Sequence, residues 1–376
     1  MKYCNRCLQP DTRPNIVFSA EGVCPACLYL AELQRVDWTE RFEILRDVIG
    51  HYRRPSPDGF DCIIGVSGGK DSTRQALFVR DRLGLNPLLV CLTYPPEQVT
   101  ERGVDNISNL IELGFDVVIS ALAPQVWRTL VREAFLRFAN WARATEMALF
   151  SAVPQLAIRY RIPLILWGEN PALQIGDMNT LGRTGYDGNN ARYGNTLSGG
   201  DANWMHTAAV NEGQLIGYRY PEISGFERAG LQIVYLGWFL GDWSLVNNGA
   251  YSAAHGLHLR TEDVRNTGDL RGVSALDEDW VSLNQMIKYY KFGFGKVTEY
   301  VNEEIRLGRM TRERGIDLVE SLDSACSPEY IASFADYVEM TVDEFWVHVR
   351  KYVNRRLFDV APDGVITPRF RVGVGL

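Results

Sequence analysis

A short glycine-rich segment is the strongest candidate for chemistry in this chain. It reads Ser67-Gly68-Gly69-Lys70-Asp71-Ser72, and we call it the glycine loop. It lies between an apolar run over 60–66, which predicts a buried strand, and a helical pattern that continues to about Leu83. At such a junction the loop N–H groups and the positive end of the helix face the same point, which favours phosphate binding.

The residue types within the glycine loop suit a nucleoside triphosphate. Its glycines let the backbone approach phosphate oxygens, and its two hydroxyls and Lys70 add donors. Asp71 would repel phosphate unless a magnesium ion bridges them, so we assign Asp71 to Mg²⁺. The P-loop of kinases and GTPases needs four residues between its glycines, a spacing absent here. We predict Lys70 and Asp71 as catalytic residues and ATP binding by the whole loop: Ser67, Gly68, Gly69, Lys70, Asp71 and Ser72.

Polar residues at the ends of two other predicted strands are further candidates. The strand over 87–93 ends at Thr93, and the strand over 163–167 leads into Gly168-Glu169-Asn170. We predict that Thr93, Gly168 and Glu169 contact ATP, with Glu169 as a possible second ligand of Mg²⁺ or, alternatively, a simple loop cap. Asn170 and Asp177 follow as candidates for substrate contact.

A basic segment near the C-terminal end is a second candidate for anion binding. Between residues 288 and 314 there are seven Lys or Arg against four Glu, in a chain whose net charge is −7. Lys291 and Lys296 flank Phe292-Gly293-Phe294-Gly295, whose glycines permit close backbone approach. We predict a diphosphate contact at Lys291 and Lys296; the alternative is a solvated pair of charged helices.

Four cysteines near the start of the chain are typical of a metal site. Cys4 and Cys7 form one C-x-x-C pair and Cys24 and Cys27 form another, with sixteen residues between the pairs. Four thiolates suit zinc and leave it no open position, which indicates a structural role. An iron–sulfur cluster stays an alternative, because sequence does not separate two four-thiolate sites.

Short apolar segments alternate with helical patterns from residue 60 to about 240. This alternation predicts an α/β fold with a doubly wound parallel sheet, in which ligands bind at the carboxyl ends of the strands. We predict a zinc module over 1–30, a helix and linker over 31–59, a nucleotide domain over 60–260 and a helical region over 261–376. Within the nucleotide domain, residues 176–217 are rich in Gly, Asn, Asp and Tyr, and we expect a long loop or an inserted subdomain over the active site.

Composition narrows the class of protein. The chain has 376 residues, 46% of them hydrophobic and 23% charged, which is the balance of an ordinary globular protein. It contains no apolar run of the ~20 residues that span a bilayer and no apolar secretion signal at its start, so we expect a cytoplasmic protein. The net charge of −7 argues against a protein whose whole surface binds nucleic acid, but it leaves room for a local basic groove.

The glycine loop resembles the signature of the PP-loop ATP pyrophosphatases, the superfamily with the adenine nucleotide alpha hydrolase-like fold. These enzymes cleave ATP between the α and β phosphates, adenylate a carbonyl or amide oxygen and release pyrophosphate. A nucleophile, often ammonia or a sulfur species, then displaces AMP. The resemblance implies an ATP- and Mg²⁺-dependent enzyme.

The order of motifs along nearly the whole chain is similar to the N-acetyl sugar amidotransferases of bacterial surface polysaccharide and lipopolysaccharide O-antigen synthesis. The motifs are Cys4-Asn5-Arg6-Cys7-Leu8-Gln9-Pro10-Asp11-Thr12-Arg13-Pro14, Cys24-x-x-Cys27, the glycine loop, Trp167-Gly168-Glu169-Asn170, and Lys288-Tyr289-Tyr290-Lys291-Phe292-Gly293-Phe294-Gly295-Lys296. This resemblance implies conversion of an acetamido group on a nucleotide-activated sugar to an acetamidino group. It also implies ammonia from a separate glutaminase like the histidine-pathway subunit, often with a cyclase-like barrel protein alongside.

The remaining cysteines agree with an external source of ammonia. A glutaminase needs an activated nucleophilic cysteine. Cys62 and Cys91 lie in apolar runs, and Cys326 is isolated, so we expect no glutaminase activity in this chain.

Two alternatives stay open at this point. Several tRNA-thiolating PP-loop enzymes also combine zinc-binding cysteine pairs with this loop, but they usually need further cysteines near the nucleotide and a basic face for tRNA. A non-catalytic zinc-ribbon adaptor is the other alternative, and the intact glycine loop argues against it.

Overall fold

Five short apolar segments form a parallel sheet in the computed structural model, which describes residues 1–53, 58–171, 185–190 and 202–376. The strand order is β3-β2-β1-β4-β5, and every neighbouring pair is parallel. The α/β prediction with a doubly wound parallel sheet is therefore confirmed. The strands are β1 (Cys62–Gly65), β2 (Pro87–Leu92), β3 (Val117–Ser120), β4 (Leu164–Trp167) and β5 (Gln232–Tyr235).

Helices cover both faces of this sheet. Alternate strand residues divide between two apolar clusters, as expected of strands buried on both sides. One cluster adds residues of α2, α3 and α4, and the other adds residues of α1, α6 and α7. These helices and their neighbours are α1 (Pro25–Leu33), α2 (Trp38–Tyr52), α3 (Lys70–Asp81), α4 (Glu101–Glu112), α5 (Pro124–Phe138), α6 (Ala142–Tyr160), α7 (Ile223–Ala229) and α8 (Leu245–Ala253).

The chain reverses direction across the sheet between β1 and β4. The connections from β1 lead outward to β2 and β3, whereas β4 and β5 lie on the other side of β1. At such a switch point the loops after the two central strands separate and leave a crevice at the carboxyl ends. The glycine loop follows β1 and Gly168 follows β4, so the sheet brings these two predicted site segments to one crevice.

The last hundred residues are mainly helical, as predicted. They form short helices that pack on one another and on the N-terminal segment, followed by a small antiparallel hairpin. The elements are α9 (Val264–Thr267), α10 (Val281–Phe292), α11 (Lys296–Arg306), α12 (Arg312–Leu322), α13 (Pro328–Tyr337), α14 (Val342–Tyr352), β6 (Phe358–Val360) and β7 (Ile366–Pro368).

Several predicted boundaries differ from the structure. The sequence predicted one helix before the linker, but the structure has two, because Asp37 accepts hydrogen bonds from the N–H groups of Thr39 and Glu40 and begins α2. The apolar run after residue 231 forms a strand only to Tyr235 and then a 3-10 turn, Leu236–Phe239. No helix among the described ranges is both long and apolar enough to cross a bilayer.

The predicted loop over 176–217 lies partly outside the described residues. Within the described part, Asp187 pairs with Val234 of β5, and Met205 and Leu215 are fully buried in a core cluster with α5 and α6. The segment Glu212–Tyr218 is a 3-10 helix. These portions therefore contribute to the folded body.

Candidate active site

The glycine loop has the backbone geometry of an anion site. Gly68 adopts φ +72°, and a Cβ there would lie 2.9 Å from Cβ of Asn106. Gly69 is the N-cap of α3, and no side chain caps that helix. The first N–H groups of α3 are therefore available to a ligand, at the helix end where negative charge is stabilised.

Lys70 and Asp71 form an ion pair at the start of α3. Nζ of Lys70 lies 2.7 Å from Oδ2 of Asp71. Burial lowers the pKa of Lys70, but the charge and hydrogen bond of Asp71, together with Glu303 and Asp269, raise it above its usual value. The amide of Asn248, on α8, donates to Oδ1 of Asp71 at 2.6 Å. The hydroxyl of Ser252 donates to the Lys70 carbonyl at 2.6 Å, so α8 contacts both residues.

A cavity of about 350 Å³ opens beside the glycine loop. Gly168 and Glu169 line it from the end of β4, and Phe150 and Val153 line it from α6. Residues of the C-terminal part complete the wall: Val273, Ala275, Leu276 and Asp277. The cavity is thus lined both by residues at the ends of the strands and by a segment about two hundred residues further along the chain.

Glu169 lines this cavity together with Lys70 and Asp71. Although the side chain is accessible from the cavity, the surrounding protein desolvates it and raises its pKa to about 7. The negative charge of Asp71 also raises this pKa, and Lys70 opposes the change. Glu169 and Asp71 therefore lie within electrostatic range, as a shared cation site would require.

A smaller, apolar cavity of about 110 Å³ lies on the other side of Ser67. Thr93 lines it, as do Tyr94 after β2 and Ile107 of α4. The two cavities share Ser67, Leu92 and Asp277 in their walls. A flat apolar group in the small cavity would thus adjoin a charged group at the glycine loop.

Among the residues that the structure describes, the predicted substrate residues Asn170, Lys291 and Lys296 line neither cavity. The buried amide of Asn170 donates to the Gly237 carbonyl at 3.3 Å, which ties the end of β4 to the turn after β5. The ammonium of Lys291 donates to the Phe138 carbonyl at 2.8 Å. Asp177 lies outside the described residues.

The glycines between Lys291 and Lys296 serve the protein's own packing. Asp323 accepts hydrogen bonds from the N–H groups of Gly295 and Thr298, at 2.7 and 2.8 Å. The N-terminus of α11 is therefore satisfied by a carboxylate from within the chain. The prediction that these glycines let the backbone approach a diphosphate does not fit this arrangement.

Lys296 remains a candidate through its side chain. Burial lowers its pKa, and although Asp269 opposes this effect, Lys70 lowers it again. The ammonium groups of Lys296 and Lys70 therefore lie within electrostatic range of each other. A second anionic group bound beside the glycine loop would find Lys296 nearby.

The four N-terminal cysteines fit one four-coordinate metal ion. All four Sγ atoms lie within 4.8 Å of one another, with Cys4 to Cys27 at 3.9 Å and Cys7 to Cys24 at 3.7 Å. Zinc bonded to sulfur at about 2.3 Å in a tetrahedron sets a sulfur–sulfur distance of about 3.8 Å. The site could therefore bind zinc, in a structural role with no open position.

The metal-site cysteines receive hydrogen bonds from the rest of the chain. The backbone N–H of Gln9 donates to Sγ of Cys7 at 3.4 Å. The guanidinium of Arg306 donates to Sγ of Cys7 and Cys24, at 3.7 and 3.9 Å. A permanent cation from α11 thus offsets the negative charge of a four-thiolate site.

Sequence reasoning missed three residues around the cavity. Asn248 and Arg74 contact each other beside Asp71, and Asp277 lines both cavities. Burial raises the pKa of Asp277 to about 6. Asp277 belongs to the acidic run Asp277-Glu278-Asp279, a sequence signal from which it could have been found. No local pattern distinguishes Asn248.

Comparison with known proteins supports only part of this picture. No curated protein matches the sequence significantly. A solved structure titled as a predicted subunit of tRNA methyltransferase from Methanocaldococcus jannaschii is 13% identical, with 63% of this chain and 90% of that chain covered. Its TM-score of 0.29 is too low to support any conclusion about function. Residues 273–366 match the model of a family described as "LPS biosynthesis protein WbpG-like, C-terminal domain", so the segment that closes the cavity is similar to a domain of lipopolysaccharide biosynthesis.

Proposed function

We propose that this chain is an ATP-dependent amidotransferase of lipopolysaccharide O-antigen synthesis. It would convert an acetamido group of a nucleotide-activated sugar to an acetamidino group. The observation that carries this proposal is the shared wall of the main cavity. The glycine loop lines one side, and Val273, Ala275, Leu276 and Asp277, within the segment similar to the lipopolysaccharide domain, line another.

The proposed reaction has two steps that balance. The acetamido oxygen attacks the α phosphorus of ATP, and pyrophosphate leaves. Ammonia then adds to the activated carbon, and AMP leaves with the former amide oxygen. The product carries NH in place of O, and it is about one mass unit lighter. Both steps need a site that binds triphosphate and amide side by side.

The chain's own residues would divide these tasks. The uncapped N–H groups at the start of α3 would hold the β and γ phosphates, and Lys70 would offset their charge. Asp71 would bind Mg²⁺, with Glu169 across the cavity as a second candidate ligand. Magnesium, when bound, would neutralise the departing pyrophosphate. The small cavity at Thr93 would receive the adenine.

The acceptor sugar would lie against the C-terminal wall. Val273 and Leu276 offer an apolar surface, and Asp277 offers a carboxylate that can accept hydrogen bonds. Lys296 would bind the diphosphate of the nucleotide sugar by its ammonium group. In this assignment Asn170 and Lys291 stabilise the fold around the site.

Ammonia would come from a separate glutaminase. Burial raises the pKa of Cys91 and of Cys326 to about 12, and it raises the pKa of the fully buried Cys62 still further. Such thiols stay protonated near neutral pH and are poor nucleophiles. The same reasoning disfavours tRNA thiolation by this chain. A cyclase-like barrel protein would assemble with the glutaminase, in the cytoplasm where ATP and nucleotide sugars are made.

The domain assignment is also a proposal. We assign residues 1–30 to a zinc module, 31–59 to a helix and linker, 60–260 to the nucleotide domain and 261–376 to the helical region. The zinc module would be structural. It would support α11, which carries Lys296 at its start.

Product analysis tests the proposed function. The protein is incubated with ATP, Mg²⁺, ammonium and a UDP-diacetamido sugar, and the products are analysed by mass spectrometry. We expect AMP, pyrophosphate and a sugar nucleotide about one mass unit lighter. Formation of AMP only when tRNA and a sulfur donor are present would replace this proposal with tRNA thiolation.

A further inference from the structure

Four side chains from distant parts of the sequence form a continuous hydrogen-bonded row behind the glycine loop. Asp242 forms an ion pair with Arg74 at 2.6 Å. Arg74 donates to Oδ1 of Asn248 at 2.5 Å. Asn248 donates from Nδ2 to Oδ1 of Asp71 at 2.6 Å. The row therefore ends on the carboxylate that the proposed function assigns to magnesium.

Arg74 determines which way the Asn248 amide faces. A guanidinium can only donate, so the amide oxygen of Asn248 must face Arg74 and its NH₂ group must face Asp71. Arg74 is in turn held by Asp242 and by contact with the Trp243 ring, whose centroid lies 5.2 Å away. Asn248 is 1% exposed, so water does not compete for these bonds.

We propose that Asn248 is a positioning residue for Asp71. Its N–H occupies one oxygen of the carboxylate, and Lys70 contacts the other. A carboxylate held at both oxygens keeps one rotamer and presents its remaining lone pairs in fixed directions. Without Asn248, Oδ1 of Asp71 would lose its hydrogen bond, and the carboxylate would be free to rotate about its contact with Lys70 and away from a bound metal ion.

This inference rests on the proposed function, because it concerns how Asp71 would meet Mg²⁺. Asn248 lies on α8, outside every motif, and orients the proposed metal ligand. Arg74 acts one step behind it. Arg74 and Asn248 are both buried polar side chains, and the hydrogen bond between them offsets the cost of burying each one.

Nucleotide binding tests the inference without turnover. The probe is α,β-methylene-ATP, which cannot be cleaved between the α and β phosphates, titrated calorimetrically with and without Mg²⁺. We expect Asn248→Ala to bind the metal-free probe within twofold of the unchanged protein. We expect the gain in affinity due to Mg²⁺ to fall about tenfold, as loss of a charge-assisted hydrogen bond predicts.

Asn247→Ala is the matched control. Asn247 lies on the same helix, but its side chain contacts the Asp242 carbonyl and Arg309 rather than Asp71. We expect this variant to keep the full gain due to Mg²⁺. Arg74→Lys provides a second variant should Asn248→Ala fail to fold. It leaves Asn248 in place but loosens its amide, and we expect a smaller loss of the same gain.

The outcomes separate the inference from the proposed function. If the unchanged protein gains affinity from Mg²⁺ and Asn248→Ala or a folded Arg74→Lys retains that gain, the inference is wrong. Equal loss of affinity with and without Mg²⁺ would show a merely structural role and would also overturn it. A protein that gains nothing from Mg²⁺ before any substitution contradicts the proposed role of Asp71 itself.

Discussion

The backbone N–H of Leu8 donates to Oδ1 of Asn302 at 2.7 Å, across 294 positions of sequence. Leu8 is fully buried among Val297, Val301 and other residues of the C-terminal helices. The loop that carries Cys4 and Cys7 is therefore packed against α11. This contact joins the N-terminal segment to the C-terminal helical region, so the metal site and the helix that begins at Lys296 should depend on each other.

Removing the zinc ligands should destabilise the whole C-terminal part. We expect about one zinc per chain in the purified protein, and loss of that zinc when Cys4 and Cys27 are both changed to serine. The melting temperature should fall by about 5 °C or more, because metal binding supplies folding energy to so short a module. Elemental analysis and thermal unfolding measure the two effects. Cys326→Ser is the control, since Cys326 lies outside the cluster, and retention of zinc by the double variant would contradict the assignment.

Gly68→Ala should weaken nucleotide binding strongly while the protein remains folded. A Cβ at Gly68 would meet Asn106 at 2.9 Å, and alanine would adopt the left-handed conformation of Gly68 only at a cost of about 1–2 kcal/mol, so the loop must shift. We expect at least tenfold weaker binding of ATP by calorimetry. Gly84→Ala is the matched control, because Gly84 also has a positive φ of +63° but nothing lies within 4 Å of a Cβ there. Equal binding by both variants would argue against the loop as the phosphate site.

Lys296 and Lys291 should differ in their effect on the sugar nucleotide. Lys296 lies within electrostatic range of Lys70, whereas Lys291 donates to the Phe138 carbonyl. We expect Lys296→Ala to raise KM for the sugar nucleotide about tenfold, as loss of a charged contact predicts, with KM for ATP changed far less. Lys291→Ala should leave both KM values within twofold. A larger increase in KM for the sugar nucleotide in Lys291→Ala than in Lys296→Ala would instead indicate that Lys291 binds the diphosphate.

Glu278 should make stability depend on pH. Burial raises its pKa to about 8, and Asp277 and Asp279 add to this effect. Because the folded pKa exceeds the unfolded value, the native state binds more protons between about pH 5 and pH 8. The contribution of this group to the unfolding free energy therefore falls as pH rises through that window.

Glu278→Gln should flatten this dependence, since glutamine cannot ionise and its oxygen can still accept from the N–H of Val281. Urea unfolding at several pH values measures it. Glu32→Gln, at an exposed position, should leave the pH dependence unchanged. A pH profile of Glu278→Gln identical to that of the unchanged protein would show that Glu278 is not protonated in the fold.

The sequence was sufficient to predict the sheet and the elements of the site that are local. The strands could be predicted from short apolar runs, and the turn at Gly68 and Gly69 from the residues immediately around it. The cysteine pairs likewise predicted a cluster that the structure brings within 4.8 Å. Local chemistry predicts local geometry because each requirement, such as a positive φ or a shared ion, is met by neighbours.

The contacts that the sequence did not predict connect distant segments. Asn248 reaches Asp71 across 177 positions, and no periodicity distinguishes it from Asn247. The Phe292-Gly293-Phe294-Gly295 segment indicated a ligand, but Asp323 accepts from the N–H of Gly295. A glycine in the sequence indicates that another group approaches the backbone closely. Whether that group is a ligand or a residue of the chain itself depends on the tertiary fold.

Transfer of an oxygen label tests the central claim most directly. The sugar nucleotide is prepared with ¹⁸O in its acetamido carbonyl and incubated with the protein, ATP, Mg²⁺ and ammonium. Attack of that oxygen on the α phosphorus predicts that the label appears in AMP and is absent from pyrophosphate and from the amidine product. Unlabelled AMP, or label in orthophosphate with ADP as the other product, would contradict the account.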